Sequence, residues 1–125
     1  MAWPKSSVEV KQRLSVAMHP FPAELKPMFG CPAYFVNGNM FAGAFGETVF
    51  ARFSGPDRLA ALAQLEEITV FEPVAGRPMR EYLALPEAIA ADASALQGWL
   101  ARSYAFASSL PVKAPGSRKA RSRTR

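Results

Sequence analysis

From Ser6 onward the apolar positions recur at helical spacing. Val10, Leu14, Ala17 and Met18 fall on one face, and Ser6 with Glu9 has the S-x-x-E spacing of a capping box. Pro20 and Pro22 end that helix, since neither can continue an α ladder, and an extended run follows through Pro27.

The pattern then changes period. In CPAYFVNGNMFAGAFGETVFARF, residues 31–53, Asn37-Gly38 is a strong hairpin signal, because a type I′ turn needs positive φ at both central residues. Gly46-Glu47 offers a second turn. With two-residue loops at both, three strands place Ala33, Phe35, Met40, Ala42, Ala44, Val49, Ala51 and Phe53 on one wholly apolar face. Its alanines let a helix approach closely. The other face carries Tyr34, Val36, Asn39, Phe41, Gly43, Phe45, Thr48, Phe50 and Arg52. A three-residue first loop would invert the first strand.

SGPDRLAALAQLEE predicts a second helix, with Ser54 as cap, Pro56 in the first turn, and Leu59, Leu62 and Leu65 as its apolar stripe. ITVFEP and MREYLALP predict two further strands around Gly76 and Pro78, and Pro86 closes the second. Asp92 caps a last helix in which Leu96, Trp99, Leu100, Ser103 and Phe106 share a face, and Pro111 stops it. The expected class is α+β, an α-β(3)-α-β(2)-α chain with one antiparallel sheet packed on helices.

Charge divides the chain in two. The formal net charge of the 125 residues is +5, yet residues 113–125 alone hold six cations and no acid, which leaves the remainder at −1. The expected organisation is a folded domain over 1–112 and a disordered basic tail over 113–125, the latter without a large apolar residue. Lys113, Arg118, Lys119, Arg121, Arg123 and Arg125 are candidates for weak, nonspecific nucleic-acid contact, steeply weakened by salt. A tail of this kind has no fixed geometry for reading bases. Cys31 is the single cysteine, the N-terminus has no apolar signal-type region, and no apolar run reaches spanning length. A cytoplasmic protein without membrane contact is expected.

Catalytic and metal-binding patterns are sparse. Cys31 and His19 are one thiol and one imidazole, too few to specify a nucleophile and an oriented base. There is no paired Cys or His at metal-ligand spacing and no phosphate-cradling glycine motif. No cofactor is expected. Tyr34, Phe41, Phe45, Phe50 and Arg52 are the candidate partner or dimer surface: rings could stack bases, but the acidic body argues against it. Packing against the proline-rich segment near Phe21 and Leu25, other chain segments or a second copy is the stronger expectation.

KPMFGCPAYFVNGNMFAG and REYLALPEAI, with Trp99 in the last helix, resemble the TfoX N-terminal domain family over roughly residues 6–110. The resemblance implies the same α-β(3)-α-β(2)-α antiparallel fold and supplies no catalytic residues. Full-length regulators of the family are associated with natural competence and act beside a cyclic-AMP-responsive transcription factor, with a second, C-terminal domain. The expected function is therefore a noncatalytic regulatory module, linked to transcription or competence, that works through contact with another protein. A nucleic-acid-associated protein using the basic tail is the alternative, and an unrecognised enzyme the third reading.

Overall fold

A computed structural model describes residues 5–27 and 31–112. The 113–125 tail and the Met28-Phe29-Gly30 part of the family-like motif lie outside the described residues. The elements are α1 (Val8–Met18), β1 (Glu24–Leu25), β2 (Ala33–Val36), β3 (Asn39–Phe45), β4 (Thr48–Arg52), α2 (Gly55–Gln64), β5 (Thr69–Val74), β6 (Arg77–Leu85), α3 (Glu87–Ala90) and α4 (Ala93–Ser108). The six strands form one sheet in the order β1-β2-β3-β4-β6-β5, antiparallel throughout. The α+β class and the element order agree with the sequence. Two short elements are added: β1, where the proline-flanked run pairs with β2, and the single turn α3 after Pro86.

The meander folds through two-residue loops. Asn37 and Gly38 have φ of 53° and 78°, as a type I′ turn demands, and Val36 pairs with Asn39 across it. Phe45 pairs with Thr48 across the second loop. From Ala42 onward the alanine-lined face is the one that meets the helices. Ala42, Ala44, Val49, Ala51 and Phe53 are all buried in the main core with Leu14 of α1 and Leu96 and Leu100 of α4. Leu83 and Leu85 of β6, paired with Ala51 and Val49, continue it. Each large side chain so buried contributes about 1.5–3 kcal/mol, so this helix-facing side carries most of the stability.

The first strand departs from the expected alternation. Tyr34 pairs with Ala42 but Phe35 pairs with Met40, so Phe41 is one extra residue in β3, a bulge. The bulge, not a longer loop, inverts the parity. Tyr34, Val36 and Phe41 join the helix-side core, while Phe35 and Met40 are only half-buried. Ser103 of α4 stabilises the bulge: its buried hydroxyl donates to the Phe41 carbonyl at 2.8 Å.

Two helix assignments also change. The cap of α1 is Ser7 rather than Ser6. The Ser7 hydroxyl accepts from the Val10 amide at 3.2 Å and donates to Glu47 at 2.8 Å, and the Ser7 amide donates to the same carboxylate at 3.0 Å. Glu47, at the second loop, thus anchors a helix 40 residues away and places negative charge at its N-terminus, where it is favourable. In α2 the cap is Ser54 as expected, but of the expected leucine stripe only Leu65 packs against the core. Ala61 is the buried residue. Asp57 pairs with Arg102 of α4 at 3.1 Å, and Arg58 donates to the Phe53 carbonyl at 2.7 Å. The helix is held through Ala61, Leu65 at its C-cap and two polar ties, while Leu59 and Leu62 face outward, 72% and 46% exposed.

Candidate functional site

The ring-rich face of the sheet is closed by the chain itself. At Gly43 a Cβ would come within 2.7 Å of both the Phe50 ring and the Pro32 carbonyl oxygen, so only glycine leaves room for the ring there. Phe50 then stacks on Phe71 of β5, centroids 4.4 Å apart and planes 13° from parallel. Phe45 meets Phe71 edge-on at 5.5 Å, and Tyr82 meets Phe50 edge-on at 5.9 Å. Register shifts on both sides of Phe71 re-aim this stretch of β5. The result is a small second core, with Phe50 and Phe71 only 2% and 3% exposed.

The five residues expected to form one surface are therefore separated. Tyr34 and Phe41 lie in the helix-side core, Phe41 edge-on to Tyr104 at 5.5 Å. Phe50 is buried beneath Phe71, and Phe45 and Arg52 are half-buried. Phe41 and Phe50 are thus interior, at 0% and 2% exposed, while Tyr34, at 7%, reaches only the wall of a cleft. The physical reasons are the bulge at Phe41 and the cover supplied by β5. In the proline-rich segment, Phe21 stacks at 5.3 Å on Tyr104 of α4 rather than on one of the five residues.

Arg52 is tied into the body. Its Nε donates to Glu81 at 2.7 Å, and its guanidinium lies 5.8 Å from the Tyr82 ring and 5.6 Å from the Phe106 ring. Tyr82 donates its hydroxyl proton to the Met40 carbonyl at 2.8 Å. Burial pushes the Tyr82 phenol above its ordinary pKa of 10.0; the Arg52 charge opposes that shift and Glu81 adds to it. Burial likewise raises Tyr34, offset in part by its hydrogen bond with Ser15. These polar groups fasten strand to strand and helix to sheet.

Cys31 is buried and lines a cleft of about 270 Å³ with Lys11, Ser15, Leu25, Pro32 and Tyr34. His19, at the exposed end of α1, is not among its walls, so the thiol and imidazole do not share that site. Among the described residues there is no group of three or more His, Cys, Asp or Glu side chains that could hold a metal ion. No helix of the described residues is long and apolar enough to cross a membrane.

Sequence reasoning missed two features. The Glu47 anchor has no local signature, because its partner is 40 residues distant. The outward leucines of α2 were legible as a stripe, and the close approach that Ala61 permits was the available clue to which side faces in.

Sheet, helices and the two aromatic clusters define a small α+β domain whose polar side chains tie its elements together. The chain belongs to the TfoX N-terminal domain family, whose model matches residues 20–107. That family is a regulatory, non-enzymatic domain type, and its presence fits a module of the competence or regulatory kind. No curated protein and no solved structure matches the chain.

Proposed function

We propose that this protein is a noncatalytic regulatory module that acts through contact with another protein, in transcription or competence regulation. The observation that carries the reading is the family match over residues 20–107. The commitment of Arg52, Tyr82, Ser103 and Asn39 to bonds that hold the fold supports it. Affinity capture from a nuclease-treated bacterial lysate tests it, with the full chain and the chain ending at Val112 as baits. The same protein should be recovered in stoichiometric amount with both. Recovery of nucleic acid alone, or loss of the partner on truncation, contradicts the reading.

Segregated charge favours a second reading, in which the 113–125 tail contacts nucleic acid. Binding to single-stranded DNA would then vanish on truncation after Val112, and its log–log salt slope would reach about −4 for six phosphate contacts. Binding that survives truncation rules out the tail as its determinant.

A further inference from the structure

The outward face of α2 is the strongest unassigned feature. Leu59 and Leu62, one helical turn apart, are 72% and 46% exposed while Ala61 behind them is fully buried. Exposed leucines scattered singly need no explanation, but two on one turn of an amphipathic helix present an apolar stripe. Charge is arranged along the same helix. Arg58 lies in the first turn, and exposed Glu66 and Glu67 occupy the turn that follows the C-terminal end. Glu67 has φ of 66°, in the left-handed region, as part of the turn that ends the helix.

We propose that α2 is the contact between two copies of this chain, packed antiparallel about a two-fold axis near Leu62. Such a contact is self-complementary, with the same patch on both subunits. Leu59 and Leu62 of the two copies then cover each other. Each copy's Glu66-Glu67 turn comes beside the other's Arg58 at the N-terminal end of α2, where the guanidinium charge and the positive end of the helix dipole favour carboxylates. Asp57, the acid in that same turn, is already neutralised by Arg102 at 3.1 Å. The antiparallel arrangement is specific to like helices with opposite charge at opposite ends; a parallel one would set carboxylates against carboxylates. One pair of ten-residue helices buries less than a standard-size interface, so the dimer is weak and reversible.

Sedimentation equilibrium of the full chain, from about 5 μM to about 1 mM, reads the association directly. The average mass should rise towards twice the monomer mass with concentration. Leu62→Glu, at an exposed position, should weaken dimerisation at least about tenfold while leaving the melting temperature near that of the wild type. Charge reversal gives the sharper test. Glu66→Arg/Glu67→Arg in one chain and Arg58→Glu in another should each impair self-association, and mixing the two should restore dimers of mixed composition. Melting curves check that Arg58→Glu, which also loses the Phe53 bond, remains folded. If it does not, Leu62→Glu decides the matter alone. A monomer over the whole range overturns the proposal and leaves the stripe to another protein. A dimer indifferent to Leu62→Glu places the contact elsewhere and overturns it equally.

Discussion

Gly43→Ala places a methyl group where the Phe50 ring and the Pro32 carbonyl already converge. Both would lie 2.7 Å from the new Cβ, about 0.8 Å inside the ~3.5 Å at which carbon contacts become favourable. The ring cannot move freely, because Phe71 stacks on it at 4.4 Å and Tyr82 borders it. The carbonyl cannot either, because it accepts the Ala44 amide at 3.0 Å. Overpacking of this kind costs about 1–3 kcal/mol, and the loss of glycine's unfolded-state entropy returns about 0.5–1 kcal/mol. The net expectation is a loss of about 1–2 kcal/mol, a fall in Tm of about 3–10 °C for a domain of this size. Urea denaturation followed by circular dichroism measures it. A Phe50→Leu background removes one of the two close contacts, so Gly43→Ala should cost roughly half as much there, and the double-mutant cycle isolates that coupling. An unchanged midpoint in Gly43→Ala, or an equal penalty in both backgrounds, refutes the placement of Phe50 across Gly43.

Other expectations concern the bulge, the anchor and the buried phenols. Ser103→Ala leaves the buried Phe41 carbonyl without its 2.8 Å donor and should cost about 1–3 kcal/mol in urea denaturation; a neutral effect would mean that the bulge does not need the bond. Ser7→Ala removes the cap of α1 and its tie to Glu47 and should cost about 1 kcal/mol, whereas Ser6→Ala should cost less; the reverse ranking would restore Ser6 as the cap. Tyr34 and Tyr82 both have pKa values raised above 10.0 in the folded state. The unfolded chain therefore loses those protons first, and stability is fully present below pH 10 and falls as pH rises from there through the folded values. Thermal melting across that range should show the fall, and Tyr82→Phe should flatten it; a profile that Tyr82→Phe leaves unaltered contradicts the assignment.

Periodicity and turn chemistry made most of the architecture readable. Asn37-Gly38 fixed the first hairpin, Asp92 capped α4, and Val10, Leu14, Ala17 and Met18 gave the buried face of α1 as the structure has it. What the sequence concealed arises from long-range contacts. The Phe41 carbonyl at the bulge is bonded by Ser103, 62 residues away, and a single added residue moved Tyr34 and Phe41 from one face to the other. Phe71 was legible as a strand residue, but not as the cover for Phe50, because a register irregularity between β5 and β6 sets its position. The same limit explains the candidate site. Alternation names the residues that share a face; it does not say which later element will close that face.

Nuclear magnetic resonance of the folded chain tests most directly the claim that Phe50 and Phe53 are interior on opposite sides of the sheet. Cross-relaxation between the rings of Phe50 and Phe71, and between those of Phe53 and Trp99, should be strong, with the Phe50 ring protected from a dissolved paramagnetic agent. A Phe50 ring that broadens with that agent and shows no contact with Phe71 would contradict the account and return the aromatic face to the surface.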